Sequence, residues 1–136
     1  MKIKEMEFSV NSRNRNEIID ITDRVQSAVS ESEIENGDVL VYCPHTTAGI
    51  TINENADRSV LHDIILTLNE LVPEGRSGYR HMEGNSDSHC KSSIIGASEQ
   101  LLIKGGKIRL GTWQGVFFCE FDGPRSRKVF VQVRGE

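Results

Sequence analysis

Polar and apolar residues alternate at close to period two through KIKEMEFSV (2–10), which predicts a strand with one face turned to a core. EIIDIT (17–22) predicts a second strand beyond the turn-forming NSRNRN. Over residues 22–35 the period lengthens. Val25, Ala28 and Val29 share one helical face, and ENG supplies the stop signal. DVLVYCP (38–44) is a nearly continuous apolar run and predicts a strand buried on both faces, whereas AGITIN (48–53) alternates and predicts a further strand. The strongest helical pattern covers about Asn55–Leu71, where Val60, Leu61, Ile64, Ile65, Leu68 and Leu71 recur at helical spacing. Asn55 is suited to cap this helix, Asp57 places negative charge in its first turn, and Pro73 follows its end.

The polar segment VPEGRSGYRHMEGNSD (72–87) comes next, of a length that in a compact domain marks a functional or disordered loop. Ser88 is placed to cap a short helix toward Ile95. SEQLLIKGGKIRLGTW (98–113) predicts a hairpin turning at Lys104–Gly106, GVFFCEF an aromatic strand, DGPR a turn and RKVFVQV a last strand. About eight strands, often adjacent in sequence, and two or three helices predict a single α+β domain over residues 1–136 with a largely antiparallel sheet.

Composition narrows the class. A chain of 136 residues is one domain by length, and 37% hydrophobic with 26% charged residues is an ordinary globular balance. The net charge of −4 argues against a general nucleic-acid binder. Cys43, Cys90 and Cys119 are odd in number and widely spaced, which suits reduced thiols and a cytoplasmic location better than a disulfide framework. The N-terminal charges have no apolar run behind them, so no signal peptide is expected, and no run approaches the ~20 residues of a membrane span.

Three of the four histidines, His45, His81 and His89, fall in predicted loops or at element ends, while His62 points away from the apolar stripe of its helix. Three neutral imidazoles near a carboxylate suit zinc, although their spacing is no recognised local zinc signature and scattered histidines are more often hydrogen-bonded structural residues. Asp57 takes the same bearing as Ile64 and Leu68, so it either caps its own helix or enters a site. Strand parity puts Cys43 and His45 on the face of Val39 and Val41. It also puts Arg125 and Arg127 on the face of Val129, and Glu120 and Asp122 on the face of Val116 and Phe118. Polar groups where an apolar face runs out line pockets. The arginines suit a phosphate or carboxylate, or else salt bridges to Glu120 and Asp122. Cys43 and His45 would stand roughly 7 Å apart along a strand, too far for a direct hydrogen bond, so Cys43 reads as a small buried hydrophobe.

Taken together, HTTAGITINENAD (45–57), LVPEG (71–75), HMEGNSDSH (81–89) and LGTWQGVFFCEFDGPRSR (110–127) closely resemble the YjbQ family, also called the secondary thiamine-phosphate synthase family. The likeness runs in order over nearly the whole chain; Cys90 after His89 departs from the expected pattern. The resemblance implies a curved, mostly antiparallel sheet or sandwich with two to three packed helices, assembled as a homotrimer. It implies a pocket gathering His45, His81 and His89 as metal ligands. Glu54, Asp57, Glu83, Glu120 and Arg125 then take catalytic roles, and Asn53, Asn85, Trp113, Gln114, Asp122 and Arg127 bind substrate. The implied cofactor is a divalent metal, either zinc, or magnesium or manganese arriving with a diphosphate.

The implied activity joins a hydroxymethylpyrimidine diphosphate to a thiazole phosphate and releases diphosphate. The dedicated enzyme for that reaction is a barrel, which needs ~200 residues or more, so here the activity would arise on an unrelated fold. Arg125, Arg127 and a divalent ion would stabilise the leaving diphosphate. Trp113, beside Gln114, would supply the slot for the flat pyrimidine unless it is plain core packing. The first expectation is thus a small-molecule enzyme acting on a phosphorylated substrate. A non-catalytic metabolite-binding or sensing trimer is the alternative, and a purely structural oligomer is the third.

Overall fold

The structure, a computed structural model, describes residues 1–136 as eight strands and three helices. Strands β1 (Lys2–Asn11), β3 (Asn36–Tyr42), β5 (Ser98–Lys104), β6 (Lys107–Ile108) and β8 (Ser126–Gly135) form one sheet in the order β1-β8-β3-β5-β6. Strands β2 (Glu17–Asp20), β4 (Ala48–Glu54) and β7 (Gln114–Glu120) form a second in the order β2-β7-β4. Every pairing is antiparallel, as the run of neighbouring strands predicts. The helices are α1 (Thr22–Ser32), α2 (Ser59–Leu71) and α3 (Ser86–Ile95). None is long and apolar enough to cross a membrane.

The main core lies between the inner faces of the two sheets and the apolar stripe of α1. Val25 and Val29 of α1 pack with Val39, Val41, Ile50, Val116, Phe118, Val129, Val131 and Val133. A smaller core forms where Leu61 and Leu68 of α2 meet Ile18, Phe117, Cys119 and Phe121. Successive residues of a strand point to opposite faces, so β7 feeds both cores and is buried along almost its whole length. Each fully buried aromatic there contributes about 1.5–3 kcal/mol.

The strand expected to be buried on both faces, DVLVYCP, is buried on only one. Val39, Val41 and Cys43 point inward, while Leu40 and Tyr42 remain 37% and 43% exposed on the outer face of the five-stranded sheet. Tyr42 stands opposite Phe130 in register, with ring centroids 6.3 Å apart, so an apolar patch lies open on this face.

Two helix starts also differ from expectation. Helix α2 begins at Ser59, and its first turn is held by Asp57, whose Oδ1 accepts hydrogen bonds from Ser59 N–H (3.0 Å) and Oγ–H (2.7 Å). Asn55 lies before the helix, its backbone N–H bonded to Trp113 O. Helix α3 begins inside the predicted loop, with Asn85 and not Ser88 at its cap position. Ser88 Oγ donates instead to Phe121 O at 2.6 Å. The C-terminal end of α3 sits directly on β4. A side chain at Gly49 would meet Gly96 O at 2.6 Å, and Ser92 Oγ donates to Ala48 O at 2.7 Å.

Candidate functional site

Four stretches of chain converge at one end of the β4–β7 pair: the β3–β4 connection (Pro44–Thr47), residues 81–85 before α3, the first turn of α3, and the β7–β8 turn. They enclose a cavity of about 440 Å³ lined by His45, His81, His89, Asn85, Asp122, Arg125 and Arg127, together with Pro44, Thr46, Thr47 and Glu83. Apart from Pro44, every lining residue is polar or charged.

The floor is a buried ion pair. Glu120 ends β7 on its core face and is fully buried, and its partner Arg127, the second residue of β8, is 5% exposed. Arg127 Nε and Nη2 both donate to the Glu120 carboxylate, and Nη2 also donates to Thr47 Oγ1 at 2.8 Å. Ser12 Oγ donates to Glu120 Oε1 at 2.7 Å, and the Asp122 backbone N–H donates to Oε2 at 3.0 Å. Burial would raise the Glu120 carboxyl, but the Arg127, Ser12 and Asp122 hydrogen bonds outweigh it and hold the group below its ordinary range.

Arg125 is more exposed. Its Nε donates to Asp122 O (2.8 Å) and its Nη2 to Asp122 Oδ2 (3.1 Å). The salt-bridge alternative for both arginines is therefore realised, with one guanidinium nitrogen of each left without a hydrogen bond: Nη1 of Arg125 and Nη1 of Arg127. The turn carrying these groups passes tightly under the β1–β2 loop, where a side chain at Gly123 would meet Asn14 O at 2.3 Å.

The three imidazoles differ in what they have already bonded. His45 Nε2 accepts a hydrogen bond from the Lys128 backbone N–H at 2.9 Å, which fixes the neutral tautomer with the proton on Nδ1. Burial first, and Arg127 second, push its pKa below the ordinary value. His81 Nε2 lies 3.9 Å from Glu83 Oε2. His89 meets His81 edge to face at a ring-centroid separation of 5.2 Å, and neither of its nitrogens hydrogen-bonds within the chain. As the side chains stand, no three His, Cys, Asp or Glu groups come together as a metal set, and His45 Nε2 is already engaged. The side chains as placed thus form no three-imidazole centre.

Asn85 Nδ2 donates to Asp122 Oδ2 at 2.8 Å. That carboxylate dictates the amide orientation and leaves Asn85 Oδ1 as the one buried side-chain polar atom without a partner. Behind the cavity wall, Asp87 and Lys91 form a fully buried pair on α3. Arg15 grips Asp87 with both terminal nitrogens (2.9 and 3.0 Å), and Lys91 Nζ donates to Asn69 Oδ1 (2.6 Å), to Asn16 Oδ1 (3.3 Å) and to Asp87 Oδ2 (3.3 Å).

The expected site residues thus divide. His45, His81, His89, Glu83, Asn85, Asp122, Arg125 and Arg127 line the cavity, and Glu120 lies beneath it. Asn53, Glu54, Asp57, Trp113 and Gln114 do not. The register pairs Ala48 with Glu120 and Glu54 with Gln114, which puts the second group roughly 20 Å away along the strands. Trp113 is 63% exposed there, so neither core packing nor a slot beside the imidazoles describes it within this chain. Cys43 is buried, and its thiol is pushed up by that burial, which suits the small-hydrophobe reading. Residue spacing gave no sign of Thr46, Thr47, Ser12 or the Arg15–Asp87–Lys91 cluster. For Asp87 and Lys91 the i,i+4 spacing was the available signal.

Residues 6–136 match the family model described as UPF0047 protein YjbQ-like. The chain is 53% identical over 129 residues to a UPF0047 protein of Methanocaldococcus jannaschii, covering 95% of this chain and 93% of that one. It is 48% identical to the UPF0047 protein YugU of Bacillus subtilis, covering 94% and 97%. Among solved structures, a YjbQ/UPF0047 family protein of Clostridium acetobutylicum superposes with a TM-score of 0.92 at 52% identity, over 95% of this chain and 99% of that one. A YbjQ-like protein of unknown function from Sulfolobus solfataricus superposes with a TM-score of 0.95 at 34% identity, over 99% of both chains.

Proposed function

We propose, on the premise that the chain belongs to the YjbQ-like UPF0047 family, that it is a small-molecule enzyme acting on a phosphorylated substrate in the three-imidazole cavity. The observation that carries this reading is the meeting of His45, His81 and His89 with two arginines around one polar cavity, from segments far apart in sequence. The Nη1 groups of Arg125 and Arg127, which have no hydrogen bond in the chain, suit a phosphoryl group. His45 has its proton fixed on Nδ1 and acts as a donor. His89, with both nitrogens free, is the group suited to take up and return a proton. No step is assigned to a metal.

A thiamine-phosphate synthase-type transfer is the narrower form of this proposal. Its C–N bond would form as diphosphate departs. The guanidinium pair supports it; the flat pyrimidine, however, would need an apolar wall, and Trp113 stands at the other end of β4 and β7. The alternative is a metabolite-binding module, favoured by how fully the Glu120–Arg127 pair is already satisfied.

Turnover of a panel of phosphate esters decides between the two. His89→Ala is expected to lower kcat by about 10²–10⁴-fold where proton transfer is rate-determining, with folding unchanged by circular dichroism. Ligand-induced thermal shifts without any product would favour the binding module. Full activity in His89→Ala would remove the catalytic assignment.

Assembly as a homotrimer is part of the same proposal. The open apolar patch of Leu40, Tyr42 and Phe130 supplies the kind of surface that subunit contacts cover. Light scattering coupled to gel filtration should give three times the 15.2 kDa chain mass, and Phe130→Glu should reduce it to that of a single chain. A trimer that survives Phe130→Glu would place the contact elsewhere.

A further inference from the structure

We infer that the ligand of this cavity is a hydroxyl-rich phosphate ester of the sugar-phosphate kind, and not a phosphate carried on a flat apolar ring. The inference rests on the phosphate reading proposed above and deepens it. The cavity has two chemically distinct sets of unused groups. One set is cationic or donating: Nη1 of Arg125, Nη1 of Arg127 and the fixed Nδ1–H of His45. Asn85 Oδ1 is the only partnerless buried polar atom in the chain. Arg127 Nη1 also lacks a partner, so it must keep contact with the solvent-filled space.

The other set accepts hydrogen bonds. Asp122 spends Oδ2 on Asn85 and Arg125, while its Oδ1 takes no hydrogen bond, and by the same reasoning Oδ1 remains open. Glu83 is exposed at the rim with only His81 near it, and Thr46 offers an exposed hydroxyl. A bare phosphate would satisfy the first set and be repelled by the second. Carboxylate acceptors beside an anion-binding corner call for a ligand that brings hydroxyl donors next to its phosphate. Pro44 is the one apolar lining residue and the only aromatic rings are polar imidazoles, so a flat apolar ring would gain little from burial here. A volume of about 440 Å³ lies within the ordinary range for a small metabolite.

Calorimetric titration of the full chain with inorganic phosphate, n-pentyl phosphate and ribose 5-phosphate tests this. Ribose 5-phosphate should bind at least about tenfold tighter than pentyl phosphate, the effect of a hydrogen bond to a charged acceptor. Pentyl phosphate should bind no tighter than phosphate itself. Glu83→Ala, at an exposed position that folding tolerates, should narrow the preference several-fold while phosphate affinity holds or improves. Pentyl phosphate binding as tightly as ribose 5-phosphate would overturn this inference and leave the phosphate reading standing. Absence of binding by all three compounds would overturn both.

Discussion

Glu120→Ala is expected to remove about 3–5 kcal/mol of folding stability, the cost of leaving one partner of a buried ion pair uncompensated. Glu120 is 0% exposed, and its two oxygens take hydrogen bonds from Arg127, Ser12 and the Asp122 backbone. Truncation leaves the largely buried Arg127 guanidinium with only Thr47 as a hydrogen-bond partner and unties the β7–β8 turn from the end of β1. Urea denaturation of the wild type and the variant measures the difference. A loss below about 1 kcal/mol would mean that the pair is not buried in solution. Glu120→Gln should cost less, because the amide keeps an acceptor for Arg127. The pair also sets a pH dependence. The folded-state pKa of Glu120 lies below its unfolded value, so its stabilisation is complete above the ordinary carboxylate range, about pH 4–5. It is lost as pH falls through the folded-state value.

Asp87→Ala should be damaging to a similar degree, about 3 kcal/mol or more, for a different structural reason. Asp87 neutralises two cations at once. Arg15 reaches it from the β1–β2 loop, and Lys91, only 1% exposed, reaches it from the next turn of α3. Burial would raise the Asp87 carboxyl, but Arg15 and then Lys91 hold it down, so its contribution is also lost on acidification. With Asp87 gone, Lys91 keeps only amide oxygens from Asn16 and Asn69. The double variant Asp87→Ala/Lys91→Met should recover part of the loss, since it removes the stranded charge together with its partner. If the double variant is no more stable than Asp87→Ala alone, Lys91 is not the group that suffers. Since α3 also carries His89 and starts at the cap residue Asn85, Asp87→Ala should loosen ligand binding as well as lower the melting temperature.

Much of the fold was legible because apolar periodicity decides which face of an element is covered. The alternation in 2–10, the helical stripe at Leu61, Ile64, Ile65 and Leu68, and the Lys104–Gly106 turn all correspond to elements of the structure. Strand parity also brought out Glu120 and Arg127 as polar groups on a core face, which is where both sit. Helix α3 was harder to read because its buried face is Asp87, Ser88, Lys91 and Ser92. Those residues are held by ion pairs and hydrogen bonds, which hydrophobic pattern cannot register. Parity likewise could not say that DVLVYCP would be covered on one side only, since nothing local reports whether a neighbouring layer exists. The motif residues are close in sequence but long in space. Strands β4 and β7 have Glu120 and the connection carrying His45 at one end, and Glu54 and Gln114 at the other. A linear string therefore names both groups without showing that a single chain separates them.

Strand β7 belongs to both apolar clusters, with Val116 and Phe118 on one side and Phe117, Cys119 and Phe121 on the other. Neither half of the molecule can melt while its neighbour stays intact, because each would strip a shared strand of half its cover. Unfolding is accordingly expected to be all-or-none, and loosened packing beneath α2 is expected to be felt through that strand at the Glu120 end, where the imidazoles gather.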